Sequence, residues 1–389
     1  MRLGLDGIPL AELKTGVGHY TFELARALAL TAPADEIEIV SPFPYLPPSL
    51  GESGRAMPPN LRAVHQRVKG MNRRWWLFGL PTYIRHSKLA LFHGTNYDVP
   101  LRSACPTILT IHDLSPFYYP ETHEASAVRR ARFRMPLMAR AATMIITPTE
   151  SVRREACARL NISSERTVAV PHAPRSCFRP ATRGQIAETK NRLGIEDDFL
   201  LFVGTVEPRK NLLMLVRAFE DVAGATGLRP QLVIAGKKGW LSEDLYAYVN
   251  KLDVRDRVCW AGYLSDEDLR ALYSSCRVFL YPSLYEGFGL PPLEAMACGA
   301  PVITSDVSAI VETVGKAARL VSPGNSTEWA QNIVDVISNE DERKRLSEAG
   351  LRCASEFTWE RAAHLTREVY TEALRRRLRT NLLRTNAAG

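Results

Sequence analysis

Short apolar and β-branched runs alternate with helical patterns along nearly the whole chain. In the first half the runs are LGLD (3–6), IEIV (37–40), LALFHG (89–94), TILTIHD (107–113), MIITPT (144–149) and TVAVP (167–171). In the second half they are FLLFVGT (199–205), QLVIAG (231–236), VCWAGY (258–263), VFLYPS (278–283), PVITSD (301–306) and ARLVSP (318–323). This alternation predicts an α/β protein with parallel sheets built from βαβ units. The proline-rich, basic stretch HAPRSCFRPATRGQ interrupts it, so a linker is expected near 173–190. Two doubly wound, Rossmann-like domains follow from this, at 1–178 and 190–356, with a C-terminal helix and basic tail at 357–389. Phe357 and Trp359 stand where they can anchor that last helix against the body.

Open α/β sheets bind ligands outside the carboxyl ends of their strands, so a site is expected in a cleft between the domains, built from residues just past strands. Glu286 follows VFLYPS, and Glu294 falls inside the helix after the turn GFGLPP. Pro291 and Pro292 suit the first turn of that helix, whose free N–H groups attract an anion. The alternative is a helix start decorated with stabilising acids. Arg209 and Lys210, past FLLFVGT, are placed to grip a pyrophosphate or to serve as a solvated helix cap. TGVGHY (15–20) offers Gly16 and Gly18 as a loop opening the first helix. His112, at the end of TILTIHD, is either structural or part of a site. Asp266-Glu267-Asp268 has the form of a metal-binding triplet, but Ser265 ahead of it makes a helix start the better reading.

Composition adds a charge asymmetry. The net charge is +8, and residues 1–180 carry 23 Lys and Arg against 14 Asp and Glu, whereas 181–374 carry 22 against 28. Seven scattered cysteines without CxxC spacing point to reduced thiols rather than a disulfide framework or zinc site. Met1-Arg2 runs directly into a strand, with no signal-like series. No apolar run reaches the roughly 18 residues of a membrane span. A cytoplasmic protein is expected, peripheral to the inner face of the membrane if it touches one. The candidate contact is 65–89, where Arg67, Lys69, Arg73, Arg74, Arg85 and Lys88 interleave with Trp75, Trp76 and Phe78. An ordinary half-buried helix is the alternative, and no nucleic-acid-binding motif accompanies the charges.

Taken together, GTVEPRKN, SLYEGFGLPPLEAMACGAPVITSD, IHDLSP and TGVGHY resemble the retaining nucleotide-sugar glycosyltransferases of family 4, over roughly residues 2–370. The resemblance implies the GT-B architecture, with the C-terminal helix packing back toward the N-terminal domain. That domain would bind the acceptor and the C-terminal one the nucleotide sugar. It further implies that Glu286 contacts the donor sugar and Glu294 the ribose hydroxyls. Gly289 and Leu290 would offer backbone N–H groups, and Arg209 and Lys210 would neutralise the leaving diphosphate without a metal. Gly16 and Gly18 would close over the phosphates, and His112 would face the donor sugar. No cofactor beyond the donor is implied. The chain departs from the family at VPHAPRSCF (170–178), with His172 and Pro174 replacing an Asn-Gly turn, and at Lys316, where an acid is common. Both departures are expected to alter local turns and not to touch the residues proposed for catalysis.

By similarity to polysaccharide mannosyltransferases, GDP-mannose is the favoured donor, with UDP-glucose a competitor. A lipid-linked or growing saccharide in surface polysaccharide assembly is the expected acceptor. A nicotinamide oxidoreductase would share the fold class, but Thr21 occupies the third glycine position and Ser41-Pro42 replaces the ribose-binding acid. A non-catalytic carbohydrate- or membrane-binding protein on the same scaffold is a further reading, as fold does not establish function. An epimerase or phosphorylase of the same architecture has no independent sign in the sequence.

Overall fold

A computed structural model describes residues 1–11, 16–45, 57–66, 75–225 and 229–386. The chain forms two compact units, one of Met1–Leu114, Arg129–His172 and Thr358–Gly389, the other of Ser115–Val128 and Ala173–Phe357. The first unit is thus discontinuous. The second takes in a short segment that follows the fifth strand.

The first unit holds a parallel sheet of seven strands: β1 (Arg2–Asp6), β2 (Glu36–Ser41), β3 (Leu61–His65), β4 (Leu91–Gly94), β5 (Thr107–Thr110), β6 (Met144–Thr147) and β7 (Thr167–Ala169). Their spatial order is β3-β2-β1-β4-β5-β6-β7. The central strands β4, β5 and β6 are buried along their whole length, as expected where helices cover both faces of a parallel sheet. Among the described residues β3 is the one strand the apolar runs did not announce. It is an edge strand, Leu-Arg-Ala-Val-His, with only Leu61 buried, so it never needed a hydrophobic run.

The second unit holds a six-stranded parallel sheet: β8 (Phe199–Val203), β9 (Gln231–Ala235), β10 (Val258–Gly262), β11 (Val278–Tyr281), β12 (Val302–Ser305) and β13 (Arg319–Val321). Here the order is β10-β9-β8-β11-β12-β13. Both sheets therefore reverse their winding once, between β1 and β4 in the first and between β8 and β11 in the second. Such a switch point splays the loops at the carboxyl ends apart and leaves a crevice.

The C-terminal helix Trp359–Asn386 belongs to the first unit and packs on the helix Gly16–Thr31. Trp359 lies 6.0 Å from the Tyr20 ring, Arg367 pairs with Asp35 at 2.5 Å, and Tyr370 hydrogen-bonds His93 at 2.7 Å. Phe357 instead meets Phe288 in the second unit, so the aromatic pair is divided between the units. The later part of the stretch expected as a linker is helical: helix Arg183–Leu193 starts at a capping box of Thr182 and Gln185 and ends on Gly194 in the left-handed region.

Candidate active site

The second unit gathers its charged candidates at the switch point. After β8 the chain passes Glu207 into a single turn, Pro208–Lys210, and after β11 it reaches Glu286. Lys210 Nζ donates to Glu286 Oε1 at 2.5 Å and to the Tyr281 hydroxyl at 2.7 Å, and Tyr281 donates to the same Glu286 oxygen at 3.0 Å. Arg209 reaches Glu286 Oε1 at 3.0 Å, the Tyr285 carbonyl at 2.8 Å and Glu207 Oε1 at 2.6 Å. Two cations and two acids are locked together with little exposure: the side chains of Arg209, Lys210 and Glu286 are 12%, 9% and 11% accessible.

The electrostatics follow from that packing. Burial alone would push the Glu286 carboxyl up, but Lys210 and then Arg209 outweigh it and hold it down at about 2. Burial, helped by Arg209, lowers the Lys210 ammonium from its ordinary value, against the pull of Glu286 and Glu207. The cluster presents two adjacent cations whose charge is already committed to carboxylates. It can accept an anion without being an uncompensated positive hole beforehand.

Eight residues beyond Glu286 lies Glu294, on the helix Leu290–Ala297. Gly289 caps this helix at φ +95°, a left-handed backbone that glycine enters without strain, and Pro291 and Pro292 occupy its first turn. Glu294 belongs to a separate network from Glu286. Its two oxygens receive Arg175 Nε at 2.9 Å and Nη2 at 3.2 Å, while Arg175 Nη1 holds Asp266. Burial works against the Arg175 charge, but Glu294 and Asp266 outweigh it and push its pKa up. The expectation that VPHAPRSCF does not touch the residues proposed for catalysis is corrected by its His172, 3.3 Å from His112 Nδ1, and its Arg175 grips the donor-binding candidate Glu294. Asp266 and Asp268 open the helix Asp266–Ser275, where Ser265 accepts from the Asp268 N–H, and Asp268 pairs with Arg192.

The remaining candidates lie in the first unit. His112 is half-buried past β5, with Nε2 at 2.7 Å from the Thr95 carbonyl and Nδ1 at 3.3 Å from His172 Nε2. Loss of surrounding water lowers its pKa, against the Thr95 carbonyl and Asp113. Tyr20 packs edge-on against it at 4.9 Å, and His172 stacks on Trp359 at 6.3 Å. Gly16 and Gly18 are the first and third residues of the helix Gly16–Thr31, not of a loop. At Gly18 a side chain's first carbon would come 2.8 Å from the Pro9 carbonyl oxygen, whereas the space at Gly16 is open. Packing explains Gly18, and Thr15 lies outside the described residues. Asp6, at the end of β1, escaped the sequence reading. Burial, opposed by the Ile8 N–H, pushes its carboxyl up to about 8. A lone acid after an apolar strand carries no signal that distinguishes it in sequence.

In the basic and aromatic stretch, the tryptophans face inward. Trp75 is buried and Trp76 lies 6.5 Å from Phe92, while Leu77 and Phe78 stand half exposed beside a groove of about 400 Å³ that Arg85, His86 and Arg102 also line. Arg67, Lys69, Arg73 and Arg74 lie outside the described residues. No helix among the described residues is long and apolar enough to cross a membrane.

Comparison with known proteins decides what this arrangement belongs to. Residues 14–173 match the family described as Glycosyltransferase Family 4, and residues 185–352 match Glycosyl transferases group 1. The chain belongs to family 4 of the glycosyltransferases. This glycosyltransferase is 29% identical to the O-antigen chain mannosyltransferase B of Escherichia coli, over 93% of this chain and 97% of that one. It is 24% identical to the O-antigen chain mannosyltransferase RfbU of Salmonella typhimurium, over 86% of this chain and 89% of the relative. Among solved structures it resembles sucrose-phosphate synthase from Thermosynechococcus elongatus, with a TM-score of 0.75 and 21% identity over 95% of this chain and 98% of that one. At that identity the likeness speaks for the fold, which is GT-B.

Proposed function

We propose that this glycosyltransferase moves mannose from GDP-mannose, with retention, onto a lipid-linked or growing saccharide in surface or exopolysaccharide synthesis. The cluster of Arg209, Lys210 and Glu286 at the switch point of the second sheet carries the reading of that unit as the donor domain. The similarity to O-antigen mannosyltransferases over most of the chain supports mannose. UDP-glucose or another nucleotide sugar is the second reading. The first unit is assigned to the acceptor.

In this reaction the bond between the sugar's anomeric carbon and the diphosphate oxygen breaks, and its electron pair leaves with the phosphate. Arg209 and Lys210 take up that developing charge, and preplaced cations of this kind cost no reorganisation as the bond opens. Glu286 contacts the sugar, aligned by Lys210 and Tyr281. Gly289 and Leu290 supply N–H groups at the helix start, and Glu294 accepts from the ribose hydroxyls. The departing phosphate oxygen takes the acceptor's proton as the new glycosidic bond forms on the same face, so no protein nucleophile is needed.

Titration calorimetry with GDP-mannose, UDP-glucose and UDP-N-acetylglucosamine tests the donor. Saturable binding of GDP-mannose, weakened in Glu294→Ala, is expected. Binding of UDP-glucose in its place would overturn the mannose reading. Peripheral contact with an anionic membrane on the cytoplasmic side is supported by Leu77 and Phe78 beside Arg85 and Arg102. Cosedimentation with phosphatidylglycerol vesicles, lost in Leu77→Ser/Phe78→Ser, tests it. Equal sedimentation with neutral vesicles would count against it.

A further inference from the structure

The fork between Arg175 and Glu294 lies inside the second unit and joins residues 119 positions apart. Neither side chain has more than a tenth of its surface exposed, at 9% and 8%. The guanidinium engages both carboxylate oxygens in parallel, Nε to Oε1 and Nη2 to Oε2, and its third nitrogen binds Asp266. Its planar face lies 4.4 Å from the centre of the Phe178 ring. Every rotatable bond of Arg175 is thereby committed, and with it the plane of the Glu294 carboxylate.

A buried ion pair of this kind adds little to stability, because desolvation offsets most of the attraction. What it does supply is direction. A carboxylate offers about four lone-pair positions, and a side-on guanidinium uses one on each oxygen. The second position on each oxygen stays available on the carboxylate's outer flank, so an oxygen held in a fixed direction can still accept from a ribose hydroxyl. Two acids around a single cation also leave the network one negative charge in excess, which suits a ligand that donates hydrogen bonds.

We propose that Arg175 is a positioning residue for the donor's nucleoside: it fixes the Glu294 carboxylate so that an oxygen left with a free lone pair is aimed at the ribose hydroxyls. The inference rests on the proposed role of Glu294 at the ribose. It assigns to the chain's unusual VPHAPRSCF segment a part in donor recognition.

The test compares GDP with 2′,3′-dideoxy-GDP, and UDP with its dideoxy analogue, by calorimetry on the full chain and on Arg175→Gln and Arg175→Lys variants. The wild type should prefer the ribonucleotide by about tenfold or more, as expected for hydrogen bonds to a charged acceptor. In Arg175→Gln that preference should shrink to about twofold, with affinity for the dideoxy nucleotide unchanged. Arg175→Lys, which keeps the charge without the fork, should recover only part of it and reads the effect if the glutamine variant fails to fold. A folded variant that retains the wild-type preference would leave Arg175 a structural residue and overturn the inference alone. A wild type that does not distinguish the nucleotides would overturn the Glu294 reading, and the inference with it.

Discussion

Two polar clusters stand at the carboxyl edges of two sheets of the same winding, and they are built from opposite materials. In the second unit the cluster is ionic: Glu207, Arg209, Lys210 and Glu286 are charged and mutually paired. In the first it is built of histidines and hydroxyls. His93 bonds Tyr370 and Thr110, Thr110 bonds Tyr20, and His112 meets His172. Burial lowers all three imidazoles, His93 to about 3, so they are neutral at pH 7. The difference teaches that winding provides a place for polar side chains and leaves their charge to the sequence. At its switch point the second unit maintains paired ions, and where its helix is fastened down the first unit maintains uncharged hydrogen bonds.

The comparison is broken most severely by removing one ion. Lys210→Ala leaves Glu286 without its nearest cation, and transferase turnover should fall by about 10²–10³-fold. A variant that melts within a few degrees of wild type and still turns over normally would show that the Lys210 charge is not needed for transfer.

Acid separates the clusters next. The histidines' folded pKa values lie below the ordinary 6.5, so between pH 6.5 and about 3 the unfolded chain binds protons that the folded one refuses, and stability falls as pH drops. Glu286 has a folded value of about 2 against 4.5, so its contribution is complete above pH 4.5 and is lost only below it. At pH 5 hydrogen exchange should therefore quicken in β4 and β5 before it does in β8 and β11. Simultaneous loss of protection would contradict this order.

Asp6 runs the other way. Its folded value of about 8 exceeds the ordinary 3.8, so the folded state keeps a proton that the unfolded state has lost, and stability falls as pH rises through that interval. Three histidines oppose this one acid below pH 6. Asp6→Asn, which retains an acceptor for the Ile8 N–H, should stabilise the protein at pH 8 by on the order of a few kcal/mol and scarcely at pH 4, read by thermal melting. The smallest effect is expected from Ser265→Ala, about 1 kcal/mol for a lost helix cap, with donor affinity unchanged. A drop in affinity would mean that the cap also positions Asp266.

Much of this was legible because a buried parallel strand must be apolar end to end, as in Phe199–Val203, and because residues past such strands cluster at switch points. Arg209, Lys210 and Glu286 could be placed near one another on that ground. The edge strand Leu61–His65 obeys no such constraint and was invisible. So was the Arg175 fork, since nothing local to Arg175 announces a partner so far along the chain. The tryptophans misled for a related reason: Trp75 and Trp76 sit among cations in sequence, but the sheet side of their helical segment offers them Phe92 and a core. Periodicity over so few residues cannot tell the inward face from the outward one.

The discontinuity of the first unit sets a schedule for synthesis. His93 receives its Tyr370 partner from 277 residues further along, so the ribosome exposes all seven of that unit's strands, and then the whole second unit, before the fastening helix emerges. Residues Ala173–Phe357 can close as a nearly contiguous body while the earlier half of the chain still waits. Chaperone dependence and sensitivity to ribosome stalling should consequently concentrate in the amino-terminal half, although it is the first to be made.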